Sequence, residues 1–370
     1  MKTRIVIVGG GAGGLELACK LGRELGAEQV TLVDRQLFHI WKPSLHEVAA
    51  GTLDIHQEGL SYEMLAHDNR FTFCLGAMTA LDVPARRLSV APVLDEQGDE
   101  LVPARELPFD RLVIAVGSTA NHFNVPGAAE FTLSLNRPAD AERFRLRMLK
   151  LLTAADLRKS AGAEGQVRIV IIGGGATGVE LAAELREASV VHSRYGFRRL
   201  DPHRDVQITL LEGADRILSP LPEKVSEAAT ALLKERNVAV ETACKVARIT
   251  ARQVEDASGR VFASDLVVWA AGIKAPGWQV GRAPVDAIEL ATAFDVFVSA
   301  VRLDAQHARI YSEVKFFGLW CDCILCFADF NLELFADSNQ AGVPGHHVAR
   351  VECGGSFAHS VRAARELLST

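Results

Sequence analysis

Two segments of this chain are near copies of each other, and they constrain its fold more than any other feature. Residues 5–21 read IVIVGGGAGGLELACKL and residues 169–185 read IVIIGGGATGVELAAEL, with 12 identities in 17 positions. Chance does not produce such a match at an offset of 164 residues. In each copy a β-branched run predicts a buried parallel strand, and apolar residues at helical spacing predict a helix directly after it. Each copy is therefore predicted to be a strand, a glycine turn and a helix.

A second pair of similar segments lies further along each half. Residues 110–117 read DRLVIAVG and residues 265–272 read DLVVWAAG, which predicts one late strand in each half, ending at Gly117 and Gly272. This pattern predicts an α/β fold with two successive Rossmann-like dinucleotide-binding units. Four short alternating segments are predicted to form antiparallel strands on these cores: 70–82, 85–93, 237–250 and 252–262.

The repeat also predicts the domain organisation of the 370 residues, a length typical of two or three domains. We predict a first dinucleotide-binding domain, a connector with a helix near 138–159, a second domain and an atypical C-terminal tail. Their predicted bounds are 1–120, 121–166, 167–276 and 277–370.

Charge and hydropathy argue against nucleic-acid binding and against a membrane-spanning helix. The 40 basic and 46 acidic residues give a net charge of −6, so nothing draws the chain to nucleic acid. No apolar run approaches the roughly 18 residues that mark a membrane-spanning helix. The N-terminus passes directly into a strand without a signal peptide, so we expect a cytoplasmic protein.

The first glycine turn predicts dinucleotide binding by a physical mechanism. Gly9, Gly11 and Gly14 fit the pattern G-x-G-x-x-G, in which the glycines permit a tight turn, close approach to the pyrophosphate and helix–strand packing. The phosphates would then meet N–H groups at the positive end of the helix. Twenty residues after Gly14, the run QVTLVD ends in Asp34, which is placed to accept hydrogen bonds from ribose hydroxyls.

The second glycine turn has the same pattern with a longer spacing to its acid. Gly173, Gly175 and Gly178 form the motif, and Glu212 follows Gly178 by 34 residues. A longer helix and the loop at 192–205 would absorb the excess. A carboxylate at this position would repel a 2′-phosphate, so NADH should be preferred over NADPH. The alternative is that Glu212 is a solvated charge at a strand end.

Two dinucleotide folds in one chain suggest that one binds a flavin and the other brings a nicotinamide to it. The sequence has no C-x-x-C or C-x-x-x-x-C after the first unit, which argues against a disulfide reductase. At this point the chain resembles the type II NADH dehydrogenases, FAD enzymes that oxidise NADH and reduce membrane quinone. The resemblance rests on segments 5–22, 31–54, 109–127, 169–185 and 265–276, of which WKPSLHEVAAG within 31–54 is the most specific.

The resemblance implies a role for particular residues. The first motif with Asp34 would hold FAD, the second would hold NADH, and the strand ending at Gly117 would pass near the flavin. Glu180 would face the nicotinamide as a catalytic residue. A carboxylate in the first turn of a helix is also favoured by the helix dipole, and Glu16 occupies the same place in the first repeat, so a structural role explains Glu180 nearly as well.

Three further positions come from the same specific segment. Trp41, Lys42 and Pro43 would lie close to the isoalloxazine ring. His39 and His46 are candidates to protonate reduced quinone or flavin, although a histidine beside aromatic residues is more often structural.

The resemblance ends near residue 277. The family carries there a strand ending in a Gly-Asp pair that contacts the flavin, followed by C-terminal helices that lie on the membrane, and this tail has neither. Four of the seven cysteines lie in the tail.

We hypothesise that the reading frame is altered near residue 277. The pattern C-x-C-x-x-C at 321–326 is a weak zinc motif, so no metal is predicted, and 288–301 is a weak candidate for an interfacial helix.

The sequence thus predicts an NADH:quinone oxidoreductase with FAD and NADH. A protein that binds NADH but holds FAD poorly, and a related reductase with another acceptor, stay open as alternatives. The family resemblance implies peripheral membrane contact at the inner face of the cytoplasmic membrane, and a homodimer is also considered.

Overall fold

The computed structural model describes residues 2–82 and 84–274 in full, and the backbone of five later strands. The described residues form two compact units. The first comprises the chain up to His39, Gly59–Ser118 and the later strands, and the second comprises Ile40–Glu58 and Thr119–Lys274.

Eight α-helices lie in the described residues, together with a 3₁₀ turn at Lys42–Ser44. They are α1 (Ala12–Leu25), α2 (Leu45–Ala50), α3 (Ile55–Glu58), α4 (Tyr62–Asn69), α5 (Ala128–Phe131), α6 (Pro138–Ser160), α7 (Ala176–Tyr195) and α8 (Glu223–Glu235). The helix predicted near 138–159 is confirmed as α6.

The strands of the first half are short and separated by turns. They are β1 (Ile5–Val8), β2 (Val30–Asp34), β3 (Phe38–His39), β4 (Leu60–Ser61), β5 (Thr72–Leu75), β6 (Met78–Asp82), β7 (Arg87–Val90), β8 (Val93–Leu94), β9 (Glu100–Val102), β10 (Arg105–Pro108), β11 (Arg111–Ile114) and β12 (Thr119–Ala120).

The strands of the second half follow the second glycine motif. They are β13 (Val167–Ile172), β14 (Val206–Leu211), β15 (Val238–Glu241), β16 (Val246–Ile249), β17 (Gln253–Asp256), β18 (Val261–Ala263), β19 (Leu266–Trp269) and β20 (Ile273–Lys274). The backbone continues in β21 (Trp278–Val280), β22 (Ala283–Val285), β23 (Phe297–Asp304), β24 (Arg309–Phe317) and β25 (Phe327–Leu332).

A four-stranded parallel sheet forms the core of the first unit, in the order β11-β1-β2-β5. Because successive side chains of a strand point to opposite faces, β1 contributes to two cores. Val6 and Val8 belong to a cluster that includes residues of β6 and β7, whereas Ile5 and Ile7 pack in a cluster with residues of α1 and α4. The run IVIV is buried along its whole length, as a parallel strand requires.

The second unit repeats this arrangement with the order β15-β14-β13-β19, again all parallel. Ile171 of β13 lies in a large cluster that also contains Phe144 and Leu152 of α6. Val170 and Ile172 lie in the cluster on the opposite face. Helix α6, predicted within a connector, therefore contributes buried side chains to the core of the second unit.

The predicted antiparallel segments are only partly right. Segments 70–82 and 237–250 each begin with a parallel edge strand of the main sheet, β5 and β15, and only their second strands, β6 and β16, pair in antiparallel fashion. Alternation reports which face of a strand is buried and says nothing about its direction, which depends on distant pairing partners. Segments 85–93 and 252–262 do form antiparallel strands.

An ion pair is repeated at the same place in both units. The backbone N–H of Arg4 donates to Asp110 (2.8 Å), and that of Arg168 donates to Asp265 (2.9 Å). The side chains pair as well, at 3.1 Å for Arg4–Asp110 and 3.2 Å for Arg168–Asp265. Hydrogen bonds from Arg4 lower the pKa of Asp110 to about 2. The pair joins the amino ends of adjacent parallel strands in each unit.

Candidate functional site

The first and third glycines of each motif are required by close packing. Gly9 and Gly173 have φ of +102° and +110°, and a Cβ on Gly9 would lie 2.3 Å from the carbonyl oxygen of Ala115. A Cβ on Gly14 or on Gly178 would lie 1.9 Å from the carbonyl oxygen of Gly9 or Gly173, respectively. These positions let each helix start against its own glycine turn, as the motif predicts.

The second glycine of each motif faces open space. A Cβ on Gly11 or on Gly175 would meet no atom of the described residues within 4 Å. Both residues precede the first turn of a helix, α1 or α7, and have extended backbone conformations. Packing inside the protein therefore does not require glycine here, whereas the close approach of a pyrophosphate to the backbone would. We call these two open turns, residues 9–14 and 173–178, the first and second cradles.

The acid at the end of the second strand plays the same structural part in both units. Asp34 accepts a hydrogen bond from the N–H of Gly10, and Glu212 accepts one from the N–H of Gly174, both at 2.6 Å. The second oxygen of each carboxylate accepts a backbone N–H two residues further on, at 2.8 Å. Neither carboxylate is simply a solvated charge.

The longer spacing before Glu212 is accommodated as the sequence predicts. Helix α7 has 20 residues and α1 has 14, and the loop after α7 covers 196–205 instead of the predicted 192–205, because α7 continues to Tyr195. A buried arginine on α7 holds this loop, since the Arg186 guanidinium donates to the carbonyl oxygens of Pro202 and, at 3.0 Å, Val206. The strand-end position of Glu212 is therefore independent of the extra residues.

The side chains of Tyr62 and His39 both contact the backbone of the first cradle, at Gly10. The carbonyl oxygen of Gly10 accepts the hydroxyl of Tyr62 (2.6 Å) and lies 2.9 Å from Nδ1 of His39. Burial lowers the pKa of His39, and burial together with the charge of Asp34 raises the pKa of Tyr62. Since a carbonyl oxygen can only accept a hydrogen bond, Nδ1 of His39 and the hydroxyl of Tyr62 act as the donors. These contacts give His39 a structural role.

In the second cradle, a backbone group instead of side chains contacts the equivalent carbonyl oxygen. The carbonyl oxygen of Gly174 accepts the backbone N–H of Leu218 at 2.7 Å. No signal in the sequence distinguishes the two cases, because the partners Tyr62 and Leu218 lie far along the chain from the glycines that they contact.

The strand-end glycines differ between the units. Gly117, at the end of the segment that contains β11, has φ +69° and nothing within 4 Å of a Cβ position. Gly272, its counterpart after β19, has φ +66°, but a Cβ there would lie 2.3 Å from the ring of Phe123. No atom of the described residues lies over Gly117, whereas an aromatic ring lies over Gly272.

The predicted catalytic residue Glu180 lies in the first half of α7 and faces helix α2. Its Oε2 is 3.6 Å from Nδ1 of His46, whose Nε2 is 3.9 Å from Glu47. One turn further along α7, Glu184 accepts the hydroxyl of Thr52 at 2.6 Å. Sequence reasoning named both His46 and Glu180 but did not place them together.

The remaining predicted residues lie beside α2. Trp41 precedes the 3₁₀ turn that contains Lys42 and Pro43, and its side chain is 49% exposed. This segment belongs to the second unit, where Leu45 and Val48 of α2 are buried in the same cluster as Leu181 of α7.

Several negative findings apply to the residues that the structure describes. Within that part of the chain, no group of three or more potential ligands is arranged to hold a metal ion. No helix there is long and apolar enough to cross a membrane. Cys19, Cys74 and Cys244 are not disulfide-bonded. The weak zinc motif at 321–326 and the altered reading frame hypothesised near 277 lie outside the residues whose side chains the structure describes. The weak candidate for an interfacial helix at 288–301 also lies mostly outside them, but its last five residues, 297–301, belong to strand β23, so a helix over the whole segment is wrong.

Two parallel sheets, each with an open glycine cradle and a carboxylate at its carboxyl edge, define an oxidoreductase fold with two dinucleotide-binding units. A family profile described as pyridine nucleotide-disulphide oxidoreductase matches residues 3–280. The chain belongs to this family.

The curated relatives of this chain include type II NADH:quinone oxidoreductases. A type II NADH:quinone oxidoreductase from Haemophilus influenzae is 39% identical over 286 residues, covering 73% of this chain and 64% of the relative. The enzyme Ndh of Mycobacterium tuberculosis, of the same type, is 28% identical, covering 76% of this chain and 59% of the relative. The resemblance to type II NADH dehydrogenases is thereby confirmed for the first three quarters of the chain. The chain spans less than two thirds of the length of these relatives.

A solved structure supports the fold. NDH2 from Plasmodium falciparum in complex with NADH superposes with a TM-score of 0.64 at 20% identity, covering 75% of this chain and 56% of that one. The profile match ends at residue 280, close to residue 277, where the sequence resemblance ends.

Proposed function

We propose that this protein is an NADH:quinone oxidoreductase that holds FAD in the first cradle and binds NADH in the second. The observation that carries the proposal is that no atom of the described residues lies within 4 Å of a Cβ position on Gly11 or on Gly175, so packing among those residues does not explain the glycines. Each cradle also has a strand-end carboxylate fixed by two backbone N–H groups, Asp34 in the first and Glu212 in the second.

The residues of the first unit fit FAD. Gly11 would let the pyrophosphate approach the N-terminus of α1, and Asp34 would accept the adenosine ribose hydroxyls. Among the described residues no atom lies within 4 Å of a Cβ position on Gly117, which follows β11 on the other side of β1, where the flavin half of the molecule would lie. When bound, FAD supplies a two-electron acceptor that takes hydride from NADH and passes electrons to a quinone.

The residues of the second unit would bind and orient NADH. Gly175 would admit the pyrophosphate, and Glu212 would accept the ribose hydroxyls and repel a 2′-phosphate. Glu180 would act as the catalytic carboxylate near the nicotinamide, and His46 is positioned to exchange a proton with it. Trp41, Lys42 and Pro43 would lie at the flavin ring.

The quinone acceptor is proposed from the names of the relatives, which are type II NADH:quinone oxidoreductases. A quinone dissolved in the bilayer would require work at the membrane surface, so we propose peripheral contact at the inner face of the cytoplasmic membrane.

The decisive experiment uses one substitution in each cradle. Gly11→Val should abolish flavin retention, and Gly175→Val should leave the flavin in place but abolish NADH binding. Because both positions have extended backbone and open space, neither variant should lower the melting temperature of the ligand-free protein. Flavin absorbance and NADH titration are the measurements.

Each of the following results would distinguish the proposed function from one alternative. A colourless wild-type protein that NADH still stabilises against heat would show a protein that binds NADH but has lost FAD. A yellow protein that NADH bleaches, but that reduces ferredoxin faster than a soluble quinone, would show a reductase with another acceptor. Equal flavin loss in both variants would contradict the assignment of one nucleotide to each cradle.

A further inference from the structure

The strand order of the second unit fixes on which side of its cradle each half of NADH would lie. Glu212, the proposed ribose ligand, follows β14 on one side of β13. With the pyrophosphate at the N-terminus of α7, the nicotinamide half would extend to the opposite side, toward the carboxyl end of β19. Ala270, just after β19, is close enough that a Cβ on Gly173 would lie 2.7 Å from its carbonyl group.

Phe123 occupies this side of the sheet. Its ring lies against Gly272, where a Cβ would come within 2.3 Å of the ring, so only glycine leaves room for it. The side chain is nevertheless 58% exposed. Nearby, the ring of Trp269 is almost fully buried and packs against the His122 ring at 5.4 Å. Phe123 thus presents a large apolar face to solvent beside the second cradle.

The backbone of Phe123 is held in a conformation that non-glycine residues rarely adopt. Its φ is +47°, and Asn124 follows with φ +55°. The side-chain oxygen of Asn121 accepts the N–H of Phe123 (3.0 Å), and the N–H of Asn121 donates to the carbonyl oxygen of Gly272 (3.2 Å). The carbonyl oxygen of Asn121 in turn accepts Nε1 of Trp269 at 2.9 Å.

These contacts fix a turn that costs free energy and exposes a phenyl ring. Strained residues of this kind persist where surrounding structure determines them, and they concentrate at binding sites. At the equivalent glycine of the first unit, Gly117, no ring of the described residues lies within 4 Å of a Cβ position. Among these residues, the ring over the glycine is found in the second unit and not in the first.

We infer that Phe123 is the apolar platform on which the nicotinamide ring of NADH packs. The inference rests on the proposed function, because it assigns a residue to the nicotinamide end of the proposed NADH site. A phenyl ring and a nicotinamide ring would gain from offset stacking in addition to the burial of apolar area.

The test compares two ligands that differ at the nicotinamide. NAD⁺ carries the ring but donates no hydride, and ADP-ribose has the same adenosine and pyrophosphate without the ring. Dissociation constants of both are measured by calorimetry for the full chain and for Phe123→Ala and Phe123→Trp. Tyr195→Ala is the control, because Tyr195 is an exposed aromatic residue at the far end of α7.

We expect Phe123→Ala to weaken NAD⁺ binding about three- to tenfold and to change ADP-ribose binding less than twofold. Phe123→Trp should retain NAD⁺ affinity, and Tyr195→Ala should change neither constant. Equal weakening of both ligands would show that Phe123 only shapes the turn, and no weakening of NAD⁺ would show that the ring does not meet the nicotinamide. Either result overturns the inference. If the wild-type chain binds neither ligand, the proposed NADH site itself is wrong.

Discussion

Nδ1 of His46 lies 3.6 Å from a carboxylate oxygen of Glu180. The two residues lie on helices α2 and α7, which pack through a shared core that includes Leu45 and Leu181. The side chains of His46 and Glu180 are 15% and 27% exposed, so the contact is only partly shielded from water. A carboxylate and an imidazole at this separation can share or exchange a proton after a small rotation of either side chain.

This geometry predicts the effect of removing the carboxylate. Glu180→Gln should lower kcat of the proposed NADH:quinone reaction at least tenfold and change the affinity for NADH less than about threefold, because it removes the carboxylate that is proposed to act beside the nicotinamide. The control is Glu184→Gln, one turn further along α7, whose carboxylate accepts the hydroxyl of Thr52. Steady-state kinetics of both variants measure the difference. Equal activity losses at 180 and 184 would indicate that the carboxylates only hold α2 against α7.

The hydroxyl of Tyr62 is predicted to stabilise the first cradle. Tyr62→Phe removes one hydrogen bond to the carbonyl oxygen of Gly10, which keeps His39 as a partner, so the free energy of unfolding should fall by about 1 kcal/mol. The ring still stacks on Phe73 at 5.0 Å. Denaturant titration measures the loss, and flavin content should fall in parallel. Tyr195→Phe, at an exposed tyrosine, should change neither quantity.

The charge of Glu212 is predicted to set the preference for NADH. Glu212→Gln keeps an oxygen that accepts the N–H of Gly174, loses the acceptor of the Ala214 N–H, and removes the negative charge that would repel a 2′-phosphate. The ratio of kcat/KM for NADPH to that for NADH should rise about tenfold, which corresponds to about 1.4 kcal/mol. Glu187→Gln, further along α7, serves as the control. An unchanged ratio would mean that Glu212 does not face the ribose.

The Arg4–Asp110 pair predicts how stability depends on pH. Since the pKa of Asp110 is lowered to about 2 in the folded protein from its usual 3.8, the pair stabilises the fold above about pH 4. That stability is lost as the pH falls from about 4 to about 2, because the carboxylate is protonated in this range.

Asp110→Asn tests this relationship. The variant should be less stable than the wild type by about 1 kcal/mol at pH 7, a value reduced for solvent screening of the partly exposed pair. The difference should shrink as the pH is lowered below 4 in urea titrations. Asp68→Asn, at a largely exposed carboxylate, should follow the wild type throughout. A stability difference between Asp110→Asn and the wild type that is the same at pH 7 and pH 3 would contradict the pKa of Asp110.

Local patterns were sufficient to predict the repeated strand, glycine turn and helix. Gly9 and Gly14 leave no space for a Cβ, and the run IVIV is buried along its length, so steric requirements and hydropathy act on neighbouring residues and can be recognised in the sequence. The strand-end position of Glu212 was predicted for the same reason, despite its longer spacing.

Only the tertiary structure decided which distant residues meet. The sequence by itself determined two dinucleotide-binding units, their glycine turns and their strand-end acids, because each depends on contacts within a short stretch of chain. The packing of Phe123 over Gly272, the approach of His46 to Glu180 and the parallel direction of β5 and β15 join residues that are far apart in the sequence. Such contacts depend on how whole strands and helices pack, and a local sequence pattern does not determine which distant residue becomes the contact partner.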